Sequence, residues 1–530
     1  MGKRLSLCMV VRDEERDLPR CLDSVRGLVD EIVIVDTGSK DQTVAVARRY
    51  GAVVRQISWQ NDFAAARNAS LELATGDWVL VLDADEVLLP EETHVLPLLL
   101  SDPGTEGYFL TVKNLLGSPA DPQYQCDPVF RLFRRRPAYR FVGRVHEQIL
   151  PVIQAVNPQA VVRHSPLTIL HYGYLDEYVR AQNKRQRNIR LLEASLAARP
   201  GDPFLLFNLG REHMRSGADR RAAAAFGAAL ARAPAEAPWR PALIKWYADT
   251  LNRLGRRAAA LEVLRQGIRD YPDYTDLHYL LGMVHGALGQ WDAAIRAFEA
   301  CRARGPAPCP PYASTEPELG NSKADYMLGM ALLRVGRDQE AQEAFARAAA
   351  ARPGWLAPLQ QLCRLLAARG DEQALLQVLN RHFPGNSPSD QVMQALLLAR
   401  TGCYEPALER LKPLASTGEM NRPAAYVYAL VLAKLGRYPE ALALCGQEVW
   451  EGTALFLHIR ALTLYCYLKT EDRAGIRRLT ADRSQLRELY TTLAGLLWDE
   501  PEAELTRLAR NLPRGSVLVE LVRKERLGEW

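Results

Sequence analysis

One motif of small and large apolar residues recurs at a fixed spacing in the second half of the chain. Each copy starts with leucine and glycine, continues with alanine and phenylalanine, and ends in proline. The clear copies are Leu209-Gly210 with Ala222, Phe226 and Pro234, Leu281-Gly282 with Ala294, Phe298 and Pro306, and Leu328-Gly329 with Ala341, Phe345 and Pro353. The small residues let two antiparallel helices approach closely, and the large residues fill the groove between units. One unit has too small a core to fold alone, so the copies must stack into a solenoid.

This spacing matches the tetratricopeptide pattern. Weaker copies contain Ala260 with Pro272, Gly370 with Ala374, Gly402 with Ala407, and Gly436 with Ala441. A generic helical bundle is the alternative, but a bundle needs no fixed period. The sequence therefore predicts an all-α tetratricopeptide-repeat solenoid over residues 203–470 and a C-terminal helical cap over residues 471–530.

One interval between two copies is longer than the others. It contains GPAPCPPYASTEPELGNSK (305–323), which is rich in proline and turn-forming residues. We interpret this segment as a surface loop that projects from one face of the solenoid. Before the solenoid, residues 176–202 are predicted to form a connecting helix. Its basic stretch VRAQNKRQRNIR is either a solvated face or a positive rim on a cleft.

The first part of the chain has a different period, because short apolar runs alternate with helical patterns. LSLCMVV, EIVIVD, AVVRQI and DWVLVLD are typical of strands, whereas residues 18–28, 43–50 and 63–74 are typical of helices. This alternation predicts an α/β domain with βαβ units and a mostly parallel sheet, over residues 1–175. Ligands of such sheets bind beyond the carboxyl ends of the strands. Asp36 and Asp83 each end a strand, so both are predicted to point into one crevice.

Three carboxylates follow one of these strands in VLVLDADEVL (79–88). Asp83, Asp85 and Glu86 are so close in sequence that their charges repel each other unless a positive group lies between them. Two carboxylates separated by one residue are a common way to hold Mg²⁺ or Mn²⁺, which prefer oxygen ligands and substrate phosphates. Acidic loops without a metal are also common. A cation and a diphosphate at the end of this strand would remove the repulsion.

Several motifs of the first third together resemble family 2 glycosyltransferases, which have the Rossmann-like GT-A fold. MVVRDEE (9–15), IVIVDTGSKDQT (32–43), FAAARNAS (63–70) and GDWVLVLDADE (76–86) follow in the order of that family. RLFRR and GRVHEQI (143–149) are similar to the branch that often carries C-terminal tetratricopeptide repeats. Bacterial S-glycosyltransferases that modify bacteriocin peptides share this layout. The resemblance implies a hexosyltransferase that uses a nucleotide sugar, with a UDP-sugar as the expected donor, and a divalent metal, Mg²⁺ or Mn²⁺.

The resemblance also implies a role for each matching residue. Val11 and the nearby main chain would border the nucleotide base, and Asp36 would bind the base or the ribose. Arg67 would lie near the nucleotide. Asp83 would approach the ribose and the metal-bound diphosphate, and Asp85 would be the main metal ligand.

Structural alternatives stay open for two of these residues. Arg67 lies on a predicted helix and has Asp62 and Glu72 within reach as ion-pair partners. Asp36 precedes a turn that contains Ser39, and its carboxylate is able to cap that turn.

Inverting transfer needs a general base that takes the proton of the acceptor, and a positive group on the departing diphosphate. Glu147 is the candidate base, and His146 would orient it or contact the phosphate. The alternative is that His146 and Glu147 have a structural role, either at the end of a strand or as partners of Arg144. His171 is a candidate third metal ligand with Asp83 and Asp85, although a histidine between aromatic residues is commonly structural.

Further candidates are weaker. Asp127 and Glu177 are the next residues to consider as the base. A basic group, Arg131, Arg134 and Arg135, either contacts phosphate or forms a solvated strand. Every predicted donor contact lies at or before His171, so the sequence predicts a donor site that is complete without the repeats.

Composition excludes several classes of protein. A net charge of +5 over 530 residues argues against a general nucleic-acid coat. The nine cysteines form no CxxC pair and no Cys/His cluster, which indicates reduced thiols and a cytoplasmic protein. No apolar run reaches the roughly 18 residues that a membrane span requires.

The sequence thus predicts a metal-dependent, inverting glycosyltransferase. It would move a sugar from a nucleoside diphosphate to a protein, peptide or glycan acceptor that the repeats hold. The alternative is a repeat-based interaction scaffold with an inactive transferase domain, against which the intact set of candidate residues argues. A homo-oligomer formed through the repeats stays open.

Overall fold

The computed structural model describes residues 3–117, 123–175, 184–417, 420–446, 455–479 and 492–493. The chain divides into two compact units, Met1–Gly354 and Trp355–Trp530. The first unit contains a sheet and helices, whereas the described residues of the second form helices. The predicted connector is described only from residue 184 onward, and most of the predicted cap, 471–530, lies outside the described residues. The predicted domain boundaries therefore stay predictions.

Eight strands of the first unit form one mixed sheet. They are β1 (Leu5–Val11), β2 (Glu31–Asp36), β3 (Val53–Gln56), β4 (Trp78–Val81), β5 (Glu86–Leu88), β6 (Gly107–Leu116), β7 (Gln123–Arg134) and β8 (Val162–His171). Their order is β3-β2-β1-β4-β7-β6-β8-β5. The first four strands in that order are parallel, which confirms the predicted α/β fold. β7 runs antiparallel to β4 and β6, and β5 runs antiparallel to β8, which the apolar runs did not predict.

Helices cover both faces of the parallel strands. Successive residues of these strands point to opposite faces and are apolar, so both faces need to be buried. Met9 of β1 packs in one core cluster with Leu22, whereas Cys8 packs in another with Leu71. The helices of this part are α1 (Leu18–Ser24), α2 (Thr43–Arg49), α3 (Phe63–Leu73), α4 (Leu96–Ser101) and α5 (Leu150–Val156). The first three correspond to the predicted helices.

Helices account for almost all regular structure after β8. They are α6 (Lys184–Ala198), α7 (Pro203–Arg215), α8 (Asp219–Leu230), α9 (Arg240–Arg253), α10 (Arg257–Asp270), α11 (Thr275–Ala287), α12 (Trp291–Arg304), α13 (Ser322–Arg334), α14 (Asp338–Ala351), α15 (Leu356–Ala368), α16 (Glu372–His382), α17 (Pro388–Arg400), α18 (Tyr404–Thr417), α19 (Arg422–Lys434), α20 (Tyr438–Cys445), α21 (Phe456–Lys469) and α22 (Arg473–Leu479). None of the helices in the described ranges has the length and apolar character of a membrane span.

In three repeats, a glycine of the first helix faces a phenylalanine ring of the second. A Cβ atom placed on the glycine would lie far inside normal carbon–carbon contact, which is about 3.5–4.0 Å. The distances to the ring would be 2.5 Å for Gly210 and Phe226, 2.6 Å for Gly282 and Phe298, and 2.7 Å for Gly329 and Phe345. A larger residue would therefore push the two helices apart. The recurring motif reflects this close approach, as predicted.

The long segment between α12 and α13 does not project from the solenoid, contrary to the prediction for residues 305–323. Ser314 and Thr315 are buried. Thr315 exchanges two main-chain hydrogen bonds with Cys126 of β7, at 2.8 and 3.1 Å, and the Ser314 amide donates to Asp127 Oδ1 at 2.8 Å. β4 pairs only with the last residues of β7. The earlier part of β7 thus has unpaired edge groups, which the loop satisfies.

A buried lysine of α9 holds this loop in place. Lys245, only 3% exposed, donates to Asp276 Oδ1 at 2.7 Å, to the Ser314 carbonyl at 2.6 Å and to Glu316 Oε1 at 3.0 Å. Burial lowers the pKa of Lys245, but the two carboxylates outweigh burial and raise it above the ordinary value. The lysine is therefore charged, and it joins two repeats to the loop.

We predict that Lys245→Met lowers the free energy of unfolding by about 3–5 kcal/mol, because Asp276 and Glu316 lose their cation in a buried place. Urea unfolding followed by tryptophan fluorescence measures this loss. Arg337→Met is the control, since it removes an exposed ion pair with Glu340 and should leave the unfolding midpoint almost unchanged. A small change for Lys245→Met would show that other contacts hold the loop.

Candidate active site

The carboxyl ends of β1, β2 and β4 meet at one edge of the sheet. Val11, the last residue of β1, lies beside Asp36, the last residue of β2, in the parallel register. β4 pairs with β1 on its other side, and Asp83 follows shortly after β4 ends. The structure thus brings these three predicted residues to the same edge of the sheet, where the crevice is expected.

Asp36 is completely buried and binds the turn that follows it. Its Oδ2 accepts hydrogen bonds from the Gly38 and Ser39 amides, both at 3.2 Å, and from Gln56 Nε2 at 3.3 Å. The turn-capping alternative is therefore observed. A role of Asp36 toward a base or ribose stays a prediction.

Arg67 of α3 lies between two carboxylates and is 7% exposed. Its Nη2 donates to Asp83 Oδ1 at 2.5 Å, and its Nε donates to Glu147 Oε1 at 3.1 Å. The local partners considered for Arg67 are wrong, because Asp62 caps the helix instead and Glu72 forms a surface ion pair. Arg67 therefore links the end of β4 to the loop that contains Glu147.

Arg131 of β7 provides a second, largely buried cation. Its Nη2 donates to Asp83 Oδ2 at 3.1 Å and to Glu86 Oε1 at 2.6 Å. Burial raises the pKa of Asp83, but the guanidinium groups of Arg67 and Arg131 outweigh burial and hold it well below its usual range. Burial raises the pKa of Glu86, which Arg131 opposes only in part. The repulsion between Asp83 and Glu86 is thus relieved by the protein itself.

Asp85 faces a histidine across a small gap. Its Oδ2 lies 3.5 Å from His171 Nε2, and His171 Nδ1 lies 2.7 Å from Asn114 Oδ1. Burial lowers the pKa of His171, but the carboxylates of Asp85 and Glu86 outweigh burial and raise it to about 9. A Cβ atom on Gly173 would overlap Asp85 and lie 2.8 Å from His171 Nε2. Only glycine therefore fits at this position without displacing Asp85 or His171.

The donor set of this gap suits a divalent cation if the ion displaces the Nε2 proton that Asp85 and Glu86 stabilise on His171. A distance of 3.5 Å between Asp85 Oδ2 and His171 Nε2 suits two ligands of one ion with bonds of about 2.1 Å. Asp83, the third predicted ligand, has both oxygens bound by arginines. Within the described ranges, no group of three or more His, Cys, Asp and Glu side chains is placed to hold a metal. Such an ion would thus need phosphate or water oxygens as well, which is usual for Mg²⁺.

His146 has an unusual backbone at the edge of the crevice. Its φ of 52° lies in the left-handed region, which non-glycine residues rarely occupy. Its Nε2 is shielded from solvent and has no hydrogen-bond partner in the described part of the chain. Burial, together with the charges of Arg211 and Arg215, lowers the pKa of His146 to about 3. The imidazole is therefore neutral at physiological pH.

Several other predicted contacts have structural roles. Arg134 and Arg135 donate to main-chain carbonyl groups, and Arg135 is also exposed, as in the predicted solvated strand. Asp127 accepts from Asn114 and from the repeat loop, so it is not placed as a base. Arg144 is exposed, and Glu147 binds Arg67 instead. Glu177 lies outside the described residues.

The contacts that Glu86, Arg131 and Asn114 make in this site were not predicted from the sequence. Arg131 and Glu86 meet through the antiparallel part of the sheet, which no sequence pattern predicted. Asn114 did have a signal, because it continues the alternation of buried residues Tyr108, Leu110 and Val112 in β6. A polar residue in such a series needs a hydrogen-bond partner.

Comparisons with known proteins agree with the two-part layout. Residues 6–115 match the family model of Glycosyl transferase family 2, and residues 241–284, 279–354 and 392–448 match Tetratricopeptide repeat models. A TPR repeat-containing protein of Synechococcus elongatus is 40% identical over 211 residues, which cover 39% of this chain and 51% of that protein. The SPbeta prophage-derived glycosyltransferase SunS of Bacillus subtilis is 29% identical over 213 residues, which cover 38% of this chain and 48% of SunS.

The chain thus carries an N-terminal family 2 glycosyltransferase domain followed by tetratricopeptide repeats, as the motifs predicted. The match spans about half the length of these two relatives.

Proposed function

We propose that the protein is a metal-dependent glycosyltransferase that moves a sugar from a nucleoside diphosphate to an acceptor with inversion. The observation that supports this proposal most strongly is the crevice at the strand ends. There, Asp83 and Glu147 are held by Arg67, while Asp85 and His171 face a gap that suits a cation. This arrangement accompanies the match to family 2 glycosyltransferases.

The donor would bind at the neighbouring ends of β1 and β2. Val11 and Asp36 would border the base and the ribose, because they are side by side at the carboxyl ends of parallel strands. Asp83 would accept a hydrogen bond from a ribose hydroxyl, since Arg67 and Arg131 keep it ionised. A UDP-hexose is the donor we expect.

Asp85 and His171 would hold the divalent cation, Mg²⁺ or Mn²⁺. When bound, the ion supplies positive charge that stabilises the departing diphosphate. Asn114 would position His171, because its side-chain oxygen accepts from Nδ1–H and leaves Nε2 directed at the gap. Gly173 would keep the gap wide enough for the ion.

Glu147 would act as the general base. It would take the proton of the acceptor's nucleophilic group while that group attacks the anomeric carbon. Arg67 holds Glu147 Oε1 at 3.1 Å, which orients the carboxylate and leaves Oε2 to receive the proton. A protein or peptide acceptor would lie along the repeats, since concave repeat surfaces commonly bind extended chains.

We predict that Asp85→Asn removes the metal-dependent part of nucleotide binding, because it keeps the shape of the side chain but removes the charge that a hard cation needs. Isothermal titration measures the affinity for UDP with and without Mn²⁺. The increase in affinity that Mn²⁺ causes should fall at least about 100-fold, which is more than the loss of a residue that only hydrogen-bonds to a metal ligand causes. Asp23→Asn, at an exposed position, is the control and should behave like the wild type. An unchanged effect of Mn²⁺ in Asp85→Asn would mean that Asp85 is not a ligand.

For Glu147→Gln, we predict a loss of turnover without a loss of binding. The amide keeps the acceptor oxygen for Arg67 but cannot take a proton. Donor hydrolysis, with water as the acceptor, should fall by about 10²–10⁴, while the UDP affinity stays within about threefold of wild type. Glu91→Gln, on the surface, is the control. Hydrolysis that survives within a few-fold would place the base elsewhere.

A further inference from the structure

Two arginines of the first repeat helix lie near the catalytic domain, and one of them contacts it. Arg211 and Arg215 are one turn apart on α7, so they lie on the same face of that helix. Arg215 Nη2 donates to the Tyr174 hydroxyl at 3.2 Å, and its guanidinium lies 4.8 Å from the centre of the Tyr174 ring. The Tyr174 ring in turn lies 5.0 Å from the His171 ring. One aromatic ring therefore separates the repeat helix from a proposed metal ligand.

The positive charge of this pair is only partly compensated. Arg215 forms an ion pair with Glu212 Oε1 at 3.7 Å, Glu212 also accepts from Asn188, and the charge of Asp127 reaches both arginines. Arg211 lies over the Phe207 ring and makes no hydrogen bond or ion pair with other residues that the structure describes. Burial and the charge of Arg215 lower the pKa of Arg211. Like charges one helical turn apart destabilise a protein unless an anion neutralises them.

His146 and Tyr174 add two polar groups beside this pair. The shielded Nε2 of His146 has no partner in the described ranges, and the residue keeps a backbone conformation that costs energy. The charges of both arginines reach His146 and Tyr174. Buried polar atoms without partners and strained residues are common where a ligand binds.

We propose that Arg211 and Arg215, with His146 and Tyr174, bind the diphosphate of the sugar donor, so that the repeat array supplies part of the donor site. This proposal rests on the proposed function. The planar guanidinium fork matches phosphate oxygens. Positive groups that face a departing diphosphate stabilise the charge that develops on it. On this proposal, two donor contacts would lie beyond His171, in the repeats.

The test is to measure affinities for a nucleotide series in Arg211→Gln and Arg215→Gln. UDP, GDP, ADP and CDP are first titrated into the wild type in Mn²⁺, to find the nucleoside diphosphate that binds. Isothermal titration of each variant then uses three ligands: that diphosphate, its nucleoside, and pyrophosphate. The affinity for the diphosphate and for pyrophosphate should fall at least about tenfold in each variant, as for a lost charge-assisted hydrogen bond. The affinity for the nucleoside should stay within about twofold.

Two further variants serve as controls. Arg220→Gln removes an exposed arginine of α8 and should leave all affinities unchanged. Arg215→Lys keeps the charge, so it should fold even if Arg215→Gln does not. It should keep part of the diphosphate affinity but less than the wild type, since lysine lacks the fork.

The outcomes separate this proposal from the proposed function. Equal losses for the nucleoside and the diphosphate, or unchanged affinities in both glutamine variants, would overturn the subsite while the glycosyltransferase proposal stands. Lower turnover with unchanged diphosphate and pyrophosphate affinity would assign the arginines to an anionic acceptor and would also overturn the subsite. If the wild type binds pyrophosphate through Arg211 but binds no nucleoside diphosphate, the anion site stands and the donor proposal fails.

Discussion

Two buried guanidinium groups determine how the acidic residues of the crevice are arranged. Arg67 and Arg131 each bind one oxygen of Asp83, and their other contacts reach Glu147 and Glu86. Carboxylates buried this closely would repel each other or take up protons if these cations were absent. The arginines thus keep Asp83 ionised and fix Glu147 relative to the end of β4. Asp85 in turn forms an ion pair with His171 at 3.5 Å.

A chain of hydrogen bonds connects this centre to the repeats within the first unit. His171 binds Asn114, Asn114 donates to Asp127, and Asp127 accepts from Ser314 of the repeat loop. Lys245 completes the chain by binding the Ser314 carbonyl. The repeats therefore contribute to the catalytic domain itself, because they bind the residues that orient a proposed metal ligand. Such outer partners of metal ligands commonly affect affinity and activity.

Local sequence patterns predicted those features that local contacts determine. The apolar runs gave β1, β2 and β4, and the spacing of Gly210 and Phe226 gave the close helix pairs. The partners of Arg67 could not be predicted, because Asp62 and Glu72 are near in sequence while Asp83 and Glu147 are near in space. The same is true of the loop at residues 305–323, whose composition indicated turns but not the unpaired edge of β7 that it covers.

The most direct test of the central claim is a hydrolysis screen of the wild-type protein across nucleoside diphosphate sugars, with Mn²⁺ and with a chelator. Slow hydrolysis needs no knowledge of the acceptor, because water replaces it. We expect release of a nucleoside diphosphate from one sugar donor in Mn²⁺, a UDP-hexose first, and its loss when the metal is removed. If no donor is hydrolysed and no nucleoside diphosphate binds in the presence of metal, the crevice is not a glycosyl transfer site.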